Sequence, residues 1–201
     1  MKVLELFSGT GSVYKVCKEL GYEVVSVDIS DKLHKPTHLT DIMTFDYKQY
    51  DVGYFDIIWA SPPCRTFSSM RFLKKSYIEI LEDILNEGLP PLEKTIEIIE
   101  YLKPKNYFIE NPMNSKMKEY IKPLPCKIVS YCQYGFDYQK NTRIWTNKDF
   151  IPKRCTKKTC KHYGNHPNKI GTTRSTDSKK MQKLKDKYKI PSLLIKELIV
   201  F

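Results

Sequence analysis

The stretch Ala60-Ser61-Pro62-Pro63-Cys64 constrains the fold of this chain more than any other. It follows Tyr54-Phe55-Asp56-Ile57-Ile58-Trp59, whose apolar residues run without alternation, as in a parallel strand covered on both faces. Two prolines then fix φ and cannot donate to a sheet ladder, so the strand must end in a stiff turn. Cys64 is presented just beyond that turn. In open α/β sheets the carboxyl edge of the strands is where ligands bind. A thiol there reads either as a nucleophile or as a small apolar residue packed in a loop.

The N-terminal stretch supports the same architecture. Lys2 to Phe7 reads as a strand, followed by Ser8-Gly9-Thr10-Gly11-Ser12 and a helical pattern from Val13 to Leu20. Glycines let a ligand approach the backbone, and the helix start offers free N–H groups. Glu23 to Asp28 is the second strand. Asp28 stands at its carboxyl end, where an acid suits the vicinal hydroxyls of a ribose. Asp41 reads as a partner for the exocyclic amine of an adenine, or as a turn cap.

Further along, Arg65 to Arg71 reads as a mobile loop over the site. Tyr77 to Leu85 is amphipathic, Gly88-Leu89-Pro90-Pro91 reads as a break, and a second helix is expected over Leu92 to Leu102. Tyr107-Phe108-Ile109 is another buried strand, and Glu110-Asn111-Pro112 stops it at the same sheet edge as Cys64. Lys127 to Tyr131 and Arg143 to Thr146 are strands joined by a hairpin-like connection. A helix is expected from Ser178 to Tyr188, then an apolar stretch from Leu193 to Phe201.

Charge is unevenly distributed. The net charge is +11, yet residues 140–189 alone hold sixteen Lys and Arg against three Asp. A basic block beside a near-neutral core points to a polyanion, most simply nucleic acid, or to a solvated Lys-rich surface. No apolar run is long enough to span a membrane. The expected location is therefore cytoplasmic, in a bacterial or host cell, and the six Cys are expected as thiols or metal ligands rather than disulfides.

Taken together, these residues carry a resemblance. Phe7-Ser8-Gly9-Thr10-Gly11, Asp28, Asp41, Pro62-Pro63-Cys64, Glu110-Asn111 and Gln139-x-Asn141-x-Arg143 resemble, in order and approximate spacing, the motifs of the cytosine-5 DNA methyltransferases, in a compact form met in phages and viruses. Amino-methylating relatives carry an Asp/Asn-Pro-Pro-aromatic motif at the catalytic position, so Cys64 points to carbon chemistry. The resemblance implies a doubly wound, Rossmann-like α/β sheet that binds S-adenosylmethionine. Cys64, Glu110 and Arg143 would be catalytic. Phe7, Gly9, Gly11, Asp28, Ile29, Asp41, Ile42 and Pro62 would hold the cofactor, and Asn111, Gln139 and Asn141 would support the base pocket. Asn141 replaces an Arg of the family pattern, and the family's last cofactor motif is not recognisable. Ile190 to Ile195 would take its place as a helix packed on the first strand.

The expected division is a catalytic domain over 1–147, a small basic recognition insert over 148–177 and a returning C-terminal segment over 178–201. Within the insert, Cys155, Cys160, His162 and His166 read as zinc ligands or as part of a free-thiol basic loop. The expected partner is double-stranded DNA, contacted by the basic segment 140–189. A partner chain that completes target recognition stays open at this point. So do an RNA (tRNA) cytosine-5 methyltransferase and a catalytically silent nucleic-acid-binding protein of the same fold.

Overall fold

Backbone hydrogen bonding places β1 (Lys2–Leu6) at the centre of the sheet in the computed structural model, which describes residues 1–68, 71, 74–121, 124–167 and 186–200. β1 is flanked by β2 (Glu23–Asp28) and β4 (Ile57–Ala60), both parallel to it. The two-residue β3 (His38–Leu39) extends the sheet beyond β2, and β5 (Asn106–Pro112) lies parallel beside β4. β7 (Asn141–Thr146) then runs antiparallel between β5 and β6 (Cys126–Ser130). The strand order is β3-β2-β1-β4-β5-β7-β6. The order reverses at β1 and β4, and the carboxyl ends of these two strands open onto the crevice that such a reversal creates.

Both faces of the sheet are covered. Alternate residues of one strand enter opposite layers, because successive side chains point to opposite faces. Val3, Ile57, Trp59 and Phe108 face α1 (Ser12–Glu19) and α4 (Ser192–Ile199). Leu4, Leu6, Ile58 and Ile109 face α2 (Tyr77–Asp83) and α3 (Leu89–Leu102). This is why β4 reads as unbroken apolar sequence. Trp59 and Phe108 are fully buried, with ring centroids 5.2 Å apart. Each contributes about 1.5–3 kcal/mol from burial, and the aromatic pairing adds about 0.5–1.5 kcal/mol.

Three local expectations are corrected. Glu110-Asn111-Pro112 does not stop β5 but continues it, paired with Ile144, Arg143 and Thr142 of β7. β4 starts three residues later than the apolar run, because Tyr54 and Phe55 join Tyr50 in an aromatic cluster. The Gly88-to-Pro91 segment does not break the helix. α2 begins at a capping box, with Ser76 Oγ accepting from Glu79 N–H and Ser76 N–H donating to the Glu79 carboxylate. A π-helical turn over Ile84–Gly88 then leads into α3, whose prolines occupy its first turn, where fixed φ is compatible with helix. Gly88 is a contact point rather than a breaker. A Cβ there would lie 2.7 Å from Thr66 Oγ1 and 3.0 Å from the Phe67 ring.

The C-terminal helix α4 packs in the layer of α1. Ile190 N–H donates to Ser12 Oγ at 3.2 Å, tying this segment to the glycine turn. Of the expected 178–188 helix, residues 178–185 lie outside the described residues; so do 168–177 of the insert and Ser69 and Met70 of the loop.

Candidate active site

The site is built at the carboxyl edge of β1, β2, β4 and β5. At the end of β1, Phe7 and Gly9 both take positive φ, of 58° and 50°. A positive φ is costly for Phe and free for Gly, so this turn is a strained bend. Gly11 closes it at φ 64°, packed so closely on His34 that a Cβ would meet the imidazole at 2.5 Å. Asp28 fixes the turn from β2, one carboxylate oxygen accepting from Gly9 N–H at 2.7 Å and the other from Ser30 N–H at 2.9 Å. Each oxygen keeps a second lone pair, so Asp28 can still accept from a diol.

Glu5 was not singled out by the sequence reading. It is buried inside β1 and accepts from the N–H groups of Val13 and Tyr14, at 3.2 and 3.0 Å. Two orphan donors of the α1 N-terminus are satisfied this way. Burial pushes its carboxyl up to about 8, against the pull of those two N–H groups. The signal for Glu5 was an acid flanked by apolar residues inside the strand.

Two adjoining cavities open on this edge. The first, of about 710 Å³, is lined by Glu5, Ser8, Pro62, Glu110, Asn111 and Asn141 among others. The second, of about 440 Å³, is lined by Asp28, Ile29, Thr40, Asp41 and Ile42. Phe7, Gly9, Ser61, Pro63, Cys64 and Tyr188 line both. Cys64 therefore stands at the junction. Ile29 is 72% exposed on the rim of the second cavity, an apolar surface fit for a planar ring. Asp41 caps its own turn through Met43 N–H at 2.9 Å and also lines that cavity.

The Pro-Pro turn is held from β5. Asn111 Nδ2 donates to the Pro62 carbonyl at 3.0 Å, so Asn111 fixes the turn that carries Cys64. Asn111 Oδ1 is buried and makes no hydrogen bond among the described residues. Burial pushes the Cys64 thiol up; the Glu110 carboxylate adds to the rise and Lys140 offsets part of it. The loop after Cys64 is tethered over its first residues, against the expectation of mobility. Thr66 and Phe67 are buried, and Lys116 N–H donates to the Phe67 carbonyl at 2.9 Å.

Glu110, itself buried, is held from two sides. The Tyr131 hydroxyl donates to Glu110 Oε1 at 2.9 Å, and Lys140 Nζ lies 3.5 Å from the same oxygen. Lys140 also donates to the Lys187 carbonyl, linking the site to the returning chain. Arg143, expected as catalytic, does not stand beside Glu110. Its backbone pairs with Asn111 while Ile144 pairs with Glu110, and successive residues of a strand face opposite sides. Its guanidinium carbon lies 5.6 Å from the Trp145 ring, and Arg143 lines neither cavity. Lys140 is thus the cation beside Glu110, and it lay unmarked inside the Gln139-x-Asn141 motif. Gln139 and Asn141 both line the first cavity; Asn141 Oδ1 accepts from Ser130 Oγ at 2.7 Å. Nothing in the sequence marked Tyr131 or Tyr188.

The residues expected as zinc ligands are regrouped. Cys155, Cys160 and His166 come together with Cys132, from the turn before β7, and their ligand atoms all lie within 4.8 Å of one another. His162 stands beside this group, its ring centroid 6.4 Å from that of His166.

The chain is similar to known proteins over its whole length. Residues 1–150 match the family described as C-5 cytosine-specific DNA methylase. A protein of Frog virus 3 (isolate Goorha), named as a probable DNA (cytosine-5)-methyltransferase, is 37% identical over 99% of each chain. Among solved structures, the Entamoeba histolytica methyltransferase EhMeth aligns with TM-score 0.56 at 16% identity, over 78% of this chain and 57% of that one. The S. pombe Dnmt2 methyltransferase aligns with TM-score 0.54 at 19% identity, over 75% and 52%. An E. coli prophage-encoded protein titled as a putative DNA modification methyltransferase gives 0.53 at 15%, over 73% and 46%. This chain thus spans about half the length of the solved structures it resembles, and at these identities the likeness is one of fold. Among the described residues, no helix is long and apolar enough to cross a membrane.

Proposed function

The chain belongs to the C-5 cytosine-specific DNA methylase family, and we propose from that premise that it methylates carbon 5 of cytosine in DNA. The observation that carries this reading is the position of Cys64 where two cavities meet. One holds Glu110 and the other holds Asp28, Ile29 and Asp41. S-adenosylmethionine, when bound, supplies an electrophilic methyl group. Phe7, Gly9 and Pro62 would frame it, Asp28 would accept from its ribose, and Ile29, Asp41 and Ile42 would face its adenine; Gly11, packed on His34, lines neither cavity.

The chain's own side chains account for the rest. Carbon 5 of cytosine is a weak nucleophile. Addition of the Cys64 thiolate to carbon 6 forms an S–C bond and moves the C5–C6 π pair toward carbon 5, where it can attack a methyl group. Glu110 would hold ring N3 and the 4-amino group and keep N3 protonated while that pair develops. Lys140 and Tyr131 would position the Glu110 carboxyl. Loss of the carbon 5 proton to a base then restores the double bond and expels the Cys64 thiolate. A base stacked inside a duplex cannot reach this cavity, so it must be flipped out. The exposed Lys157, Lys158 and Lys161 would contact phosphates, setting affinity rather than sequence choice.

The test is covalent trapping on duplex DNA containing 5-fluorocytosine, with S-adenosylmethionine added. Fluorine blocks the final elimination, so an active enzyme stays attached through Cys64. The expected result is an adduct with wild type and none with Cys64→Ala, which still binds S-adenosylmethionine. An adduct on RNA but not on DNA would overturn the substrate, and an adduct surviving in Cys64→Ala would overturn the nucleophile.

A further inference from the structure

Residues 151–167 contain no helix or strand, and among them only Cys160 and His166 are buried. A segment with so little apolar surface cannot hold one conformation by hydrophobic burial. Yet it is attached to the sheet at defined points. Ser130 N–H donates to the Lys153 carbonyl at 3.0 Å, and Cys155 N–H donates to Ser130 Oγ at 2.9 Å. At the centre of the attachment sit three thiols and one imidazole.

We propose that Cys132, Cys155, Cys160 and His166 form a structural Zn²⁺ site that fastens the basic segment to the turn before β7. The geometry suits a tetrahedral ion. His166 Nε2 lies 3.6 Å from Cys155 Sγ and 3.4 Å from Cys160 Sγ. With Zn–S near 2.3 Å and Zn–N near 2.05 Å, a tetrahedral angle puts a sulfur and a nitrogen ligand about 3.6 Å apart. Three soft thiolates, one imidazole and no carboxylate select Zn²⁺ over hard cations. All four positions are filled by the protein, so the site is closed and structural rather than catalytic. Gln133 Nε2 lies 3.9 Å from Cys132 Sγ and supplies an outer-shell donor. Binding converts three thiols to thiolates and releases their protons.

The ligand set explains why the Cys and His spacing alone misleads. Cys132 is 23 residues before Cys155 in sequence and is brought in by the hairpin, whereas His162 is near in sequence and left out. Cys132 also follows Tyr131, whose hydroxyl holds Glu110, and Ser130 bonds both Cys155 and Asn141. The ion would therefore brace one wall of the first cavity while ordering the segment proposed to meet phosphates. This inference does not depend on methyl transfer.

The experiment is elemental analysis and cobalt substitution of the full chain. The expected result is one zinc per chain. With Co²⁺ in its place, visible bands of tetrahedral intensity and a thiolate charge-transfer absorption matching three Cys ligands are expected. Cys132→Ser should weaken Zn²⁺ binding by more than about a hundredfold, beyond the loss of an outer-shell partner, whereas His162→Ala should leave it unchanged. A chain without stoichiometric metal whose melting temperature Zn²⁺ does not raise would overturn the proposal. So would a cobalt spectrum showing only two thiolates, a result that needs no variant to fold. Zinc lost in His162→Ala but kept in Cys132→Ser would overturn the ligand set.

Discussion

Removing one oxygen atom tests the support of Glu110. In Tyr131→Phe the ring stays in its fully buried position and only the hydroxyl that donates to Glu110 Oε1 at 2.9 Å is lost. A hydrogen bond to a carboxylate contributes about 1.5–3 kcal/mol. Lys140, 3.5 Å from the same oxygen, keeps part of the anchoring, so the net cost should fall near about 1–2 kcal/mol. For a chain of this size that lowers the melting temperature by about 2–8 °C. The loose carboxyl then meets the base less often in the productive geometry, and kcat/KM should fall about tenfold. The assay is methyl transfer to duplex DNA, run in a cycle with Glu110→Gln. If Tyr131 acts through Glu110, the second substitution costs little once the first is made. Full additivity of the two losses would refute the reasoning, as would an unchanged kcat/KM in Tyr131→Phe.

Three further outcomes are expected. The Cys64 thiol is pushed up by burial and by Glu110, so its reactive thiolate should grow through and beyond neutral pH. Its alkylation by iodoacetamide should accelerate about tenfold per pH unit between pH 7 and 8.5, and a rate already flat at pH 7 would contradict this. Gly88→Ala should destabilise the chain by about 1–3 kcal/mol despite the helix propensity gained, because the buried Thr66 and Phe67 have no room to yield. Thermal unfolding measures it, and a rise in melting temperature would count against the contact. Neutralising Lys157, Lys158 and Lys161 together should weaken binding evenly across DNA sequences and reduce the salt slope by up to about 3. Fluorescence anisotropy across a salt series reads the slope, and an unchanged one would rule out phosphate contacts there.

What the sequence disclosed follows the range over which each signal acts. Strand β4, the Pro-Pro turn, the glycine turn and Asp28 are local patterns, and each sits where the chain order put it. Gly88 was misread because a glycine beside two prolines looks the same whether it ends a helix or admits a neighbour, and the neighbour here, Phe67, is 21 residues away. Arg143 does not share a face with Glu110, because strand alternation decides which residues of β7 do, and only the register shows it. Tyr131, Lys140 and Cys132 owe their roles to a hairpin that brings side chains beside residues of β5 or of the basic segment. No short pattern encodes that meeting.

The bond between Ile190 and Ser12 joins residues 178 positions apart. During synthesis at about 5–20 residues per second, the glycine turn emerges about 10–35 s before the segment that will bind it. In that interval Val3, Trp59 and Phe108 present an apolar face that α4 has not yet covered. The nascent chain thus passes through a stage when its sheet is adhesive and its site lacks the wall formed by Lys187 and Tyr188, and slower translation of the basic segment would prolong that exposure.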